Sequence, residues 1–419
     1  MSDLAGIKFS IKTTFLVKAM AVYMAFGLME RENQRARRRE RVFRDRTNPL
    51  DLWTDQQMYA KYRFSRLACI NIIDMLQDEL EHRTRRNHAL PPSLQVFIAL
   101  RFFGHGSVTD DSGAEPHGVS IPTACRAVRR VTKALWQRQN QFIKFPTTPE
   151  EVQQKQRDFM VIQGFPRVVG AIDGTHIRLT NVALGPTEYV YVNRKGFYSI
   201  NVKLVCDAKY RILNVVARWP GSTHDSRILQ ESRLGHAFRD GQLQGILLGD
   251  SGYALKPWLM TPSGIPQTPA EQAYNSAHRT TKALIEHLNG QLKNKFLCLG
   301  GTGPRVRTAE KVCDIITACC VLFNISKDDH IQEPYNHMPD DDNPAPEAAA
   351  DDDVYGTAVR NDIVCNFFTQ FLWLAIESSA EKHPTISQKL CVANGSMTIT
   401  FLARIFTLDH GLAVFSEGS

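Results

Sequence analysis

The sequence predicts an α/β domain with a short antiparallel meander at its centre, preceded by a helical domain. Three observations predict it. Amphipathic helical patterns fill residues 52–140. The pattern then turns β-prone over residues 166–220 and again at 245–249. After that it returns to helical spacing over 278–296 and 311–325. With 419 residues, 43% hydrophobic and 22% charged, the chain is long and apolar enough to bury a core in more than one structural unit. Nine cysteines do not make a disulfide scaffold.

Charge is unevenly spread. Residues 1–140 hold 23 Lys+Arg against 14 Asp+Glu, while the remainder holds 27 against 29. A basic first third suits a polyanionic partner such as nucleic acid, or a nuclear address; a solvated basic surface is the plainer alternative. Residues 31–46 alone carry eight arginines, which fits a localisation signal, a phosphate-contacting arm or an exposed helix. No segment is expected to span a membrane. The cleanest apolar run, Ala19 to Met29, covers 11 positions, against the ~20 a spanning helix needs. An arginine run rather than a cleavage site follows it, so a cytosolic or nuclear chain with reduced cysteines is expected. The Asn324 and Asn394 sequons then carry no meaning.

Five regions follow: a basic, poorly defined segment over 1–50, a helical domain over 51–145, the α/β domain over 160–330, an acidic Pro/Ala/Asp linker over 331–353, and a tail of unassigned role over 354–419. In the helical domain, Leu67, Ile70, Ile73, Met75 and Leu76 share one helix. Leu94 to Phe103 form a second, ended by Gly104 and Gly106. Ser120 is a candidate cap for a third, with Ala124, Val128, Val131 and Leu135 on one side and Arg126, Arg129, Arg130 and Lys133 mostly on others. Helix, glycine-containing break and basic helix make a helix-turn-helix candidate; an all-helical support domain is the alternative. In the α/β domain, Arg167–Ile172, Tyr198–Cys206 and Arg211–Trp219 form the meander, with a turn at Asp207–Tyr210. Thr223–Leu234 is expected as one helix and Gly245–Gly249 as a buried strand. In the tail, Phe367–Ile376 and Ile399–Leu408 are apolar enough for small elements.

Acids mark the ends of these elements. Asp173 ends the first strand, Asp250 the fourth, and Glu286 lies within a later helix. This is the layout of an RNase H-like fold, which clusters carboxylates over its sheet. Phosphodiester cleavage needs an activated water or hydroxyl beside a polyanion, and hard oxygen ligands suit Mg²⁺ or Mn²⁺. Two such ions ~3.5–4 Å apart can stabilise both the attacking and the leaving oxygen. Asp225, opening the helix after the third strand, is either a further ligand or supporting group, or a first-turn acid favoured by the helix dipole. Between Asp250 and Glu286 lie 35 residues, a spacing similar to that of many transposase and integrase triads; between Asp225 and Glu286 lie 60.

The blocks AIDGTHIRL (171–179), YVNRKGFYSINVKLVCD (191–207), WPGSTHDSRILQES (219–232), LLGDSGYALKPWLMTP (247–262) and TACCVLFNIS (317–326) resemble the Harbinger transposase-derived nucleases and the PIF/Harbinger DDE transposases. The resemblance covers roughly residues 55–330. It implies an RNase H-like catalytic domain of the DDE superfamily and a nuclease acting on DNA with a divalent cation, with Asp173, Asp225, Asp250 and Glu286 as the metal-binding acids. It also implies nuclear and cytoplasmic locations and a separate Myb-like DNA-binding partner. The family's glutamate helix commonly reads IExxFGxLKxRF, whereas residues 285–296 read IEHLNGQLKNKF. Asn289 in place of the aromatic is expected to loosen the packing behind Glu286. The segments before residue 50 and after residue 354 lie outside the resemblance.

Other features weigh less. His176 and His224, beside the acids, are candidates for orienting water or touching a phosphate, with a structural role the plainer reading. Asn193–Gly196 is either a backbone grip for DNA or a solvated turn. The Gly300–Pro304 loop lacks the Gly-Lys-Ser/Thr of a phosphate loop, which speaks against nucleotide hydrolysis. No C-x-x-C pair supports zinc, and Cys319 and Cys320 on an apolar helix are expected in the core. A metal-dependent nuclease is the first functional expectation. A catalytically silent DNA-associated or partner-binding scaffold is the second, and transposition by this chain alone the weakest.

Overall fold

The computed structural model describes residues 48–82, 89–106, 118–329 and 353–369, with positions 20, 22–24 and 29 before them. The chain divides into two units, residues 1–47 and 48–419. In the first unit the five described positions are helical and exposed. The arginine run at 31–46, the acidic linker up to residue 352, and the tail beyond residue 369, with its expected element at 399–408, lie outside the described residues. None of the described helices is long and apolar enough to cross a membrane.

The second unit begins with seven helices: α1 Pro49–Leu52, α2 Asp55–Tyr62, α3 Arg66–Leu80, α4 Pro92–His105, α5 Ile121–Gln137, α6 Gln139–Phe142 and α7 Pro149–Gln163. Ser65 caps α3 by accepting from the Ala68 amide, and the Ser65 amide itself donates to Asp329, 2.9 Å away. Gly106 ends α4 in the left-handed conformation, φ +75°, which glycine adopts without steric cost. Gly104 belongs to the helix.

Helix α5 starts after Ser120 as expected, although the Ser120 side chain makes no cap bond. Its buried face holds Ala124, Ala127, Val128, Val131 and Leu135, while Arg126, Arg129 and Lys133 face water. Arg130 is committed elsewhere. Its guanidinium donates to the Leu80 carbonyl at 2.8 Å, satisfying the C-terminal end of α3. The segment that would form the turn of a helix-turn-helix, residues 107–117, is outside the described residues.

Helix α7 adds to the expected elements: Thr148 and Glu151 form a reciprocal capping box with Pro149 in the first turn. Its Lys155 reaches the buried Asp207 at 2.6 Å. Asp207 in turn accepts from the Lys209 and Arg211 amides and so closes the hairpin turn, where Tyr210 takes a positive φ.

The sheet has five strands in the order β3-β2-β1-β4-β5. They are β1 Val168–Arg178, β2 Ser199–Cys206, β3 Ile212–Pro220, β4 Ile246–Leu248 and β5 Leu259–Met260. The first three form the expected meander, antiparallel throughout; β4 pairs with β1, and β5 with β4, both in parallel. Two apolar clusters cover the two faces. Ala171, Ile200, Val202, Leu204 and Leu248 join the larger core, shared with α2–α5 and with α10 Pro269–Lys295 and α11 Ala309–Ser326. Ile172, Val205 and Leu247, each next in sequence to one of these, join the smaller one together with Val169; a register shift between Val168 and Gly170 interrupts the alternation in β1.

The single helix expected over 223–234 is instead two, α8 Asp225–Gln230 and α9 Arg233–Arg239. Ser232 breaks the run by capping α9, its hydroxyl accepting from the Gly235 amide. Helix α10 begins nine residues earlier than expected, at the Thr268/Glu271 capping box. Cys319 and Cys320 are fully buried in α11. The tail contributes α12 Val354–Ile363 and a following π turn, Val364–Phe368. Phe368 packs edge-on against Phe165 and Tyr274.

Candidate functional site

Strand register brings two of the acids together. β1 and β4 run parallel with Ala171 opposite Leu248. Asp173 and Asp250 each lie two residues further along. Because side chains alternate with period two, Asp173 shares the face of Ala171, which α10 covers. The Asp250 carboxylate is steadied by the Gly252 amide at 3.1 Å. Glu286 comes from α10, whose Ala277, Thr281, Leu284, Ile285, Leu288 and Leu292 are buried.

Three residues of α10 at helical spacing, Lys282, Glu286 and Asn289, face this centre. The Lys282 ammonium lies 2.6 Å from Glu286 Oε1 and 3.3 Å from Asp173 Oδ1, with only 10% of its side chain exposed. Asn289 is completely buried and donates from Nδ2 to Asp173 Oδ2 at 3.2 Å. Its Oδ1 is buried without a hydrogen-bond partner. Where the family commonly has an aromatic, this chain thus places a buried amide that is bonded to the Asp173 carboxylate. Its place one turn beyond Glu286 was a usable signal, as was Lys282 four residues before it.

The electrostatics follow from this crowding. Burial pushes Asp173 up to about 7; Lys282 opposes the rise, and Asp250, Asp225 and Glu286 add to it. Burial also raises Asp250, against Lys282 and the Gly252 bond and with Asp225 and Glu286. Asp173 therefore feels the other three sequence-selected acids, and Asp250 feels Asp225 and Glu286. Perturbation of this kind marks functional centres.

Asp225 arrives differently. It opens α8, and its Oδ1 accepts from Asn201 Nδ2 at 2.7 Å. Its carboxylate occupies the space into which a side chain at Gly174 would project, 2.4 Å from an ideal Cβ. Neighbouring residues of a strand project to opposite faces, so Asp225 approaches β1 from the side opposite to the Asp173 side chain. Beneath it lies Lys203, wholly buried on β2, with Nζ 3.0 Å from Ser232 Oγ. Burial lowers this lysine to about 7 against the pull of Asp225. Asn201 and Lys203 escaped the sequence reading, because a lysine and an asparagine alternating with valine and leucine look like an exposed strand face.

His176 shares a contact with Ser199, Nδ1 to Oγ 3.0 Å. His224 precedes α8 beside Ser226, whose hydroxyl donates to the Gly252 carbonyl and so ties α8 to the Asp250 loop. At the 193–196 turn, Asn193 Oδ1 accepts from the Lys195 and Phe197 amides, which leaves the Arg194 and Lys195 residues exposed.

The donor set around Asp173, Asp250 and Glu286 is all carboxylate oxygen, with the orphaned amide oxygen of Asn289 beside it. That is the chemistry of Mg²⁺ or Mn²⁺ rather than of a thiolate metal. Among the described residues, however, no three His, Cys, Asp or Glu side chains stand in a ligating arrangement. An ammonium, that of Lys282, bridges Asp173 and Glu286.

Comparison with known proteins adds to this geometry. The model of the DDE superfamily endonuclease family matches residues 172–324, which include all four acids. The human protein named "Putative nuclease HARBI1" is 39% identical over 279 residues, covering 66% of this chain and 79% of that protein. Its Xenopus laevis counterpart is 36% identical over 279 residues, covering 66% and 80%. An Arabidopsis thaliana protein named "Protein ALP1-like" is 28% identical over 246 residues, covering 55% and 59%. No solved structure matches the chain.

Proposed function

The chain belongs to the family of Harbinger transposase-derived nucleases, and on that premise we propose that it is a metal-dependent nuclease hydrolysing DNA phosphodiester bonds. The convergence of Asp173, Asp250 and Glu286 from two parallel strands and one covering helix carries this reading. The strand order, with three antiparallel strands followed by two parallel ones across β1, supports an RNase H-like framework.

In this reading Asp173, Asp250 and Glu286 hold Mg²⁺ or Mn²⁺, which would polarise the scissile phosphate and stabilise the attacking and leaving oxygens. Asp225 supports the site from behind β1: it is bonded to Asn201, and α8 is pinned to the Asp250 loop through Ser226. Asn289 orients Asp173 by donating to the oxygen that does not face Lys282. The exposed Arg126, Arg129 and Lys133 of α5 offer phosphate affinity that falls steeply with salt. Association with a Myb-like DNA-binding protein, and residence in both nucleus and cytoplasm, complete the proposal on the strength of the family resemblance.

A second reading, a catalytically silent DNA-associated scaffold, draws on the ammonium that lies among the acids. One assay separates the two. Plasmid and hairpin DNA are incubated with the chain, with and without the Myb-like protein, in Mg²⁺ or Mn²⁺, beside Asp173→Asn, Asp250→Asn and Glu286→Gln. Metal-dependent cleavage lost in each folded variant is the expected result. Absence of cleavage by the folded wild type under every condition favours the scaffold.

A further inference from the structure

We propose that Lys282 is a resident counter-ion of the carboxylate centre, which a divalent cation must displace in order to bind. The inference deepens the metal-dependent reading and rests on it.

The Lys282 ammonium touches two members of the carboxylate set, Glu286 Oε1 at 2.6 Å and Asp173 Oδ1 at 3.3 Å. It is held there by geometry: Lys282 and Glu286 are one turn apart on α10. Mg²⁺ needs carboxylate oxygens at ~2.0–2.1 Å, with near-octahedral order. A dication that close to both oxygens would sit against the ammonium, and two like charges in a half-buried site repel strongly. The two cations are therefore alternatives.

The exchange has a route. Glu286 is 46% exposed, so the centre opens to solvent on its side. Four methylenes let the ammonium leave while its stem stays packed. The arrangement also accounts for the absence of a ligating trio among the described residues: the acids are spaced around an ammonium rather than closed on a metal. In the metal-free protein the Lys282 ammonium compensates both Asp173 and Glu286.

The test uses the whole chain and Mn²⁺ alone, read by water-proton relaxation, with no DNA present. Lys282→Met keeps length and removes charge. It is expected to bind Mn²⁺ about tenfold tighter or more. In parallel, acetylation of wild-type lysines is followed by mass spectrometry. Lys282 is expected to be protected without metal and to become reactive at saturating Mn²⁺, so the inference can be judged even if Lys282→Met fails to fold. Equal or weaker Mn²⁺ binding by Lys282→Met, or unchanged Lys282 reactivity in metal-loaded wild type, overturns the displacement and leaves the metal reading standing. No Mn²⁺ binding by either protein at millimolar concentration overturns both.

Discussion

Gly174 and Asp225 form a pair whose coupling can be measured. Gly174 lies in extended strand backbone, so alanine there is conformationally acceptable. The added Cβ would stand 2.4 Å from Asp225 Oδ2, 2.5 Å from Oδ1 and 2.6 Å from Cγ. To regain a contact distance near ~3.5 Å, the carboxylate must retreat by about 1 Å. That retreat breaks its 2.7 Å bond from Asn201. A hydrogen bond to a charged group contributes about 1.5–3 kcal/mol, and overpacking a filled site costs about 1–3 kcal/mol. The two effects are partly exclusive, because retreat relieves the clash. Gly174→Ala is therefore expected to cost about 2–3 kcal/mol. In an Asp225→Ala background the obstructing atoms are gone, and the same change is expected to cost less than about 1 kcal/mol. Urea unfolding of the wild type, both single variants and the double variant gives the coupling directly. Additivity of the two changes to within about 0.5 kcal/mol would refute the placement of Asp225 over Gly174.

Two further outcomes follow from buried groups. His278 is fully buried beside Phe165 and Tyr274, and burial lowers it to about 4 despite its bond to the Met260 carbonyl. An imidazole depressed from 6.5 contributes stability that is complete above pH 6.5 and is lost as pH falls towards 4, by at most about 3 kcal/mol. The stability difference between wild type and His278→Gln, followed by urea midpoints across that window, should shrink as pH falls; a constant difference would contradict it. Asn289→Leu removes a donor from Asp173 and also an unpaired buried oxygen, effects of about 1.5–3 and 1–3 kcal/mol in opposite directions. Its unfolding free energy should stay within about 1 kcal/mol of wild type, and a loss beyond about 3 kcal/mol would rule out that balance.

Much of the framework was legible because it rests on local pattern. Alternation announced β1–β3, and helical spacing announced α3–α5 and α11. Asp250, just past the end of β4, was legible for the same reason; Asp173, expected to end β1, instead lies inside it and is buried, because β1 runs on to Arg178 in register with β2. What stayed hidden depends on contacts distant in sequence. The two-residue β5 exists only because β4 offers it a parallel edge. The break between α8 and α9 comes from Ser232 and from the close approach of Gly235 to the Leu229 carbonyl, 2.1 Å from where a Cβ would lie. Lys203 and Asn201 acquire meaning only once α8 folds back over β2. The missed starts of α7 and α10 are different: both carry a Thr-Pro-x-Glu signature, present in the sequence and strong enough to have been used.

The chain order of the carboxylates has a consequence for synthesis. Asp173 and Asp250 become neighbours only when β4 adds to β1, across a loop that contains β2, β3, α8 and α9. Glu286 joins them only when α10, which ends at Lys295, docks on that sheet. Contacts this far apart along the chain close late, because loop entropy must be overcome first. A polypeptide still emerging from the ribosome therefore has its acids dispersed in water. The carboxylate centre is complete only once α10 docks, and any product truncated before α10 lacks Glu286.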